Sequence, residues 1–101
     1  MAHMVGHVAQ NRHENLVALS IEWIRLDDRA QDLRKQRSAT VTVDWILRRQ
    51  AAIRDMMIET SAATMADVGA KHRVATAQGN DALDEDLLES AESDVVRIVY
   101  A

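Results

Sequence analysis

His3 and His7 stand four residues apart, the spacing that would turn two imidazoles on a helix toward one metal ion. Both lie in an N-terminal stretch without hydrophobic periodicity. Met1-Ala2-His3-Met4, with its second methionine, has the look of a leader added in cloning. No metal site is therefore expected there. His13 and His72 are single histidines among charged neighbours and read as solvated side chains.

Lys71, His72 and Arg73 form a compact basic cluster that would suit an anion or a phosphate. Asp67 precedes Lys71 by one helical turn. The simpler reading, and the one favoured here, is an i, i+4 ion pair on an exposed helix face, worth a few tenths of a kcal/mol, about 0.3. Asp81, Asp84 and Asp86 resemble the start of a calcium loop, but the glycine and the twelfth-position glutamate that such a loop requires are missing. Acids in the first turns of a helix explain them better, because the positive end of the helix dipole favours negative charge there. They would also offer an acidic face to a basic partner.

Arg34, Lys35, Arg37, Arg48 and Arg49 gather around one expected turn and would neutralise phosphates if the chain bound nucleic acid. Against that stand a net charge of −4, interleaved Asp27, Asp28, Asp32 and Asp44, and only Trp23, Trp45 and Tyr100 as aromatics. Enzymatic signatures are lacking: there is no glycine-rich phosphate loop, no HExxH, and no serine at a motif spacing from a histidine. The absence of cysteine removes disulfides, thiolate metal sites and thiol nucleophiles. No catalytic residue, metal or cofactor is assigned.

These groups must be held by helices. At 48% hydrophobic residues, with so few aromatics, the core has to be aliphatic. Proline is absent and glycine occurs only at Gly6, Gly69 and Gly79, too few turn formers for a sheet protein. The 101 residues make one domain. No apolar run approaches a membrane span and the N-terminus lacks a secretion signal, so a soluble cytoplasmic chain is expected.

The spine is Leu16 to Leu33, where Leu16, Leu19, Trp23, Leu26, Ala30 and Leu33 recur at steps of three and four. Val17, Ile21 and Ile24 widen the apolar face over its first half. Four helices are predicted, over about residues 13–37, 43–60, 65–78 and 82–99, after an unstructured segment 1–12. Asn11 or Asn15 and then Thr42 are candidate N-caps for the first two. Thr64 followed by Asp67 has capping-box spacing for the third, and Gly79-Asn80-Asp81 should stop it. Leu83, Leu87, Leu88, Ala91, Val95, Ile98 and Val99 should form the buried face of the fourth.

Short connections predict two consecutive antiparallel helical hairpins, the first two helices longer than the last two. Trp23 would then face Met56 and Met57, and Trp45 would face Leu33 and Arg34. Eight bases lie between Arg25 and Arg54, whereas residues 80–101 hold seven acids against Arg97 alone.

Over Glu59 to Ala75, ETSAATMADVGAKHRVA is similar to a motif of small all-helical proteins from proteobacteria and their prophages, a family with no assigned activity. Those proteins carry a tryptophan in a long first helix, as Trp23 here. A second helix runs into a Pro-Ala-x-Thr-Leu-x-Gly-x-x-x-Lys stretch, and a last helix has an aspartate near its end. Ala63-Thr64-Met65 and Lys71 match that stretch, and Asp94 with Arg97 resembles the last feature. Ser61 replaces the proline and Asp67 the glycine. The resemblance implies a helical fold over about residues 16–99 in a prokaryotic protein.

The expected role is a protein–protein interaction or structural module. It would self-associate, as a homodimer, through Trp23, Leu26, Ala30 and Leu33 on an arm that the shorter helices leave uncovered. The alternative is a small transcriptional regulator binding DNA through Arg34, Lys35, Arg37, Arg48 and Arg49.

Overall fold

The computed structural model describes the backbone of residues 2–37, 40–77 and 82–100, and side chains from residue 16 onward within those ranges. The described residues form four helices and no strand: α1 (Ala2–Lys35), α2 (Thr40–Glu59), α3 (Met65–Thr76) and α4 (Glu85–Tyr100). None of them is long and apolar enough to cross a membrane. A 34-residue helix is about 51 Å long at 1.5 Å per residue. It accounts for the 48 Å longest dimension and for a radius of gyration of 15.1 Å, against about 13 Å for a compact chain of this length.

Three helix starts differ from expectation, α4 beginning at Glu85 rather than near residue 82. The spacing predicts α1 from His13 or Asn15 after an unstructured segment 1–12, with Asn11 or Asn15 as cap; α1 instead runs from Ala2. Extending an existing helix avoids the cost of nucleation and needs no hydrophobic periodicity. Residues 2–14 contain no proline to stop it. Likewise α2 begins at Thr40, so Thr42 lies inside the helix rather than at its cap. The β-branched Thr40-Val41-Thr42 run occupies the first turn, where backbone N–H groups have no intrahelical partner to lose. The predicted stop at Gly79-Asn80-Asp81 and the side chains of His3, His7 and His13 lie outside the described residues.

Other ends follow the expected chemistry. Arg37 takes a left-handed φ of 54° just beyond α1, and its N–H donates to the Arg34 carbonyl at 3.1 Å. Thr64 caps α3: its hydroxyl accepts from the Asp67 N–H at 3.2 Å, while the Asp67 carboxylate accepts from the Ala63 N–H at 3.1 Å. Asp84 caps α4 by accepting from the Leu87 N–H at 3.2 Å.

The main core joins Leu16 and Trp23 of α1, Ile53 and Met57 of α2, and Val68, Val74 and Ala75 of α3 to Leu87 and Ala91 of α4. A smaller cluster of Ala30, Leu33 and Ile46 continues it along α1 and α2. The inner line of α2 is Ile46, Gln50, Ile53 and Met57, at steps of four, three and four. Trp23 and Met57 share the core as expected, whereas Met56 is exposed. Trp45 does not face Leu33 as predicted; it is 61% exposed, because Ile46 takes the inward position one residue later. On α4, Leu83 and Val99 are exposed rather than buried: Leu83 precedes the helix, and Val99 turns past the inward line of Leu87 and Ala91.

Gly69, in the middle of α3, is solvent-exposed and a Cβ built on it meets nothing within 4 Å. The helix therefore carries glycine's conformational cost there without a packing benefit. Gly69→Ala is expected to raise stability by about 1 kcal/mol, read as a higher urea midpoint with an unchanged slope.

Candidate functional site

The most distinctive chemistry lies between α3 and α4. Lys71 is wholly buried, and its Nζ sits 2.6 Å from Asp94 Oδ2 and donates to Ser90 Oγ at 2.9 Å. Arg97 Nη2 bridges Asp94 Oδ1 at 2.8 Å and the Ala62 carbonyl at 2.6 Å. Ser90 Oγ in turn donates to the Ile58 carbonyl at 3.4 Å. One carboxylate thus collects two cations, and their remaining hydrogen bonds fasten α4 to the backbone where α2 ends and the chain turns into α3.

Burial pushes the Asp94 carboxyl up. Hydrogen bonds from Lys71, Arg97 and the Ala62 N–H, with the Lys71 charge, outweigh that effect and hold it below the usual carboxylate range. Asp94 is therefore ionised at neutral pH and the cluster is an internal tether. No substrate can reach a wholly buried ammonium that is already paired.

Neither sequence reading of the Lys71-His72-Arg73 cluster survives. Lys71 points into the core, while His72 and Arg73 are exposed. Asp67, the expected exposed partner of Lys71, is itself buried and caps α3. The reason is helical phase. Lys71 shares the face of Val68, Val74 and Ala75, and Asp94 falls on the line of Leu87, Ala91 and Ile98. A charged residue on an apolar line of each of two neighbouring helices was the signal available for this pair. Lys71, Asp94 and Arg97 are brought together here.

Two further polar links cross the helices. Arg49 makes a bidentate pair with Glu22 at 2.7 and 3.0 Å, and hydrogen bonding to Arg49 holds the Glu22 carboxyl below its usual range against the opposing effect of burial. Arg54 makes another with Asp84 at 2.6 and 3.0 Å and reaches Asp86 at 3.3 Å. The Asp84 carboxyl is held low chiefly by Arg54, against burial, with help from the Leu87 N–H. Asp84 and Asp86 are thus committed to a cap and to Arg54, and Asp81 lies outside the described residues. Gln50 donates to the Trp23 carbonyl at 3.2 Å. Among the described residues no group of three or more His, Asp or Glu side chains converges as a metal site.

Of the expected interface, Trp23, Ala30 and Leu33 are buried inside the protomer and Leu26 is half-buried. The seam is covered by α2, so it is no free strip. The exposed apolar row of this region lies on the outer side of α2, at Val41, Trp45, Ala52 and Met56. Of the expected nucleic-acid contacts, Arg34, Lys35, Arg37 and Arg48 are exposed and Arg49 is held by Glu22. The surface depression along α1, about 480 Å³, is lined by Ala18, Ile21, Glu22, Arg25 and Leu26, without a convergent set of reactive groups.

No protein-family model, no curated protein and no solved structure matches this chain significantly.

Removing one partner from a buried ion pair strands the other charge, whereas replacing both with apolar groups restores a neutral interior. Lys71→Met is expected to cost about 3 kcal/mol, and adding Asp94→Leu should return part of that loss, read by urea unfolding of the single and double variants. Stability contributed by Asp94 and Asp84 is complete above their unfolded-state values and disappears as pH falls through their lowered folded-state values. The protein should therefore lose stability on acidification below about pH 4, and Asp94→Asn should show a shallower loss across that window in thermal melts.

Proposed function

We infer that this chain is a non-catalytic protein–protein interaction module that associates with further copies of itself through an arm formed by α1 and α2. The pairings support reading α1 with α2, and α3 with α4, as consecutive antiparallel hairpins. Glu22 meets Arg49 while Leu33, further along α1, clusters with the earlier Ile46. Ala75 accepts from the Asp84 N–H while Lys71 meets the later Asp94.

The observation that carries the reading is Trp45. A tryptophan 61% exposed on a helix whose inner line is already packed leaves a large apolar surface in water. Val41, 83% exposed one turn before it, extends the patch. The interface thus moves from the buried seam of α1 to the outer face of α2. Aromatic anchors of this kind dominate binding energy at protein interfaces.

A second reading, DNA binding by a small regulator, draws on the exposed Arg34, Lys35, Arg37 and Arg48. Exposed Asp28, Asp32 and Asp44 on the same two helices oppose it. Light scattering after size exclusion over a tenfold concentration range distinguishes the two. The interaction reading predicts an oligomer indifferent to a random duplex at low salt, reduced to monomer by Trp45→Asp with the melting temperature little changed. A monomer that shifts only with the duplex, and loses that shift in salt and on Arg48→Glu, would replace it with the regulator.

A further inference from the structure

Among the described residues, the outer faces of α2 and α4 are both exposed, and they are complementary. On α2 the row Val41, Trp45, Arg48 and Ala52 advances at steps of four, three and four and is exposed throughout. On α4 the row Glu89, Glu92, Val96 and Tyr100 is exposed over the same eleven-residue span, about 16 Å of helix in each case. Val96 is 56% and Tyr100 81% exposed. Laid antiparallel, the apolar ends coincide, Val41 and Trp45 against Tyr100 and Val96, and the guanidinium of Arg48 meets the carboxylates of Glu92 and Glu89.

The wider charge distribution has the same sense. The segment 25–54 carries eight bases against Asp27, Asp28, Asp32 and Asp44, and the described part of the C-terminal segment has six acids against Arg97. Within one protomer the two rows cannot meet. Arg54 and Asp84 already join α2 to α4 from their inner sides, and the two exposed rows point away from that contact.

We propose that the outer face of α2 on one copy receives the outer face of α4 on a second copy of this chain. The contact is heterologous, joining two different surfaces, so each protomer offers one donor face and one acceptor face. It rests on the self-association inferred above and specifies which surfaces meet. Its electrostatic part makes assembly salt-sensitive, which a purely apolar pairing of two α2 faces would not be.

The test uses two full-length variants, each with one face disabled: Trp45→Asp on α2, and Glu89→Lys with Glu92→Lys on α4. All three substituted positions are exposed, and circular dichroism melts of each variant check that it folds. The heterologous contact predicts that each variant alone is monomeric by light scattering, that an equimolar mixture doubles in mass to a 1:1 dimer, and that the mixture's association constant falls about tenfold between low and high salt. If the α4 variant assembles alone as the wild type does while Trp45→Asp does not, α2 faces pair with each other. The proposal then fails while self-association stands. If the wild type is monomeric at every concentration, both fail.

Discussion

The Lys71–Asp94 ion pair is the constraint on which the arrangement of α3 and α4 depends. An ammonium and a carboxylate taken out of water recover their hydration cost only through close contact and a full set of further hydrogen bonds. Ser90 and Arg97 supply such bonds, and the Ala62 carbonyl holds Arg97, while Asp94 Oδ2 makes no hydrogen bond beyond its 2.6 Å ion-pair contact with Lys71. The pair is satisfied in one relative placement of α3, α4 and the turn after α2. The alanines among the core residues, Ala62, Ala70, Ala75 and Ala91, offer little side-chain relief beside the larger Val68, Val74 and Leu87. Directional polar contacts supply the specificity that small apolar residues lack.

Lateral placement of the other helices depends on the same device at lower cost. Glu22–Arg49 and Gln50–Trp23 register α2 against α1, and Arg54–Asp84 registers the start of α4 against α2. Glu22–Arg49 is partly exposed, with side chains 40% and 38% exposed, and Arg54–Asp84 less so, whereas the Gln50–Trp23 hydrogen bond is buried. Partly exposed ion pairs contribute little net stability, about 1 kcal/mol or less. Their role is orientation. The apolar contacts of Leu16, Trp23, Ile53, Met57 and Leu87 contribute the bulk of the burial. With the inner faces satisfied in this way, the outer faces of α2 and α4 keep Trp45, Val41, Val96 and Tyr100 in water, which is the observation behind the proposed association between copies.

Periodicity was enough to find all four helices, because an aliphatic chain without proline leaves few alternatives to helix. The Thr64–Asp67 box located the start of α3 to the residue, since capping is local chemistry with a fixed spacing. Three features were not legible in the same way. The start of α1 at Ala2 reflects propagation, which periodicity does not report. The exposure of Trp45 turns on a one-residue choice between Trp45 and Ile46, and hydrophobicity alone favours neither. The burial of Lys71 and Asp94 was written in their helical phase, yet a charged residue is ordinarily placed outside before its phase is consulted. The seam of Trp23, Ala30 and Leu33 is apolar as expected but not uncovered, because Val43, Ile46 and Gln50 of α2 close over it.

The most direct measurement is residue-resolved amide hydrogen exchange on the wild-type chain. If the Lys71–Asp94–Arg97 cluster locks α4 to α3 and to the backbone after α2, amides of Val68–Ala75 and of Leu87–Ile98 exchange with a single free energy, equal to that of global unfolding. Exchange of α4 through a lower-energy opening, with α3 still protected, would contradict the lock and with it the fixed outer face on which the proposed association depends.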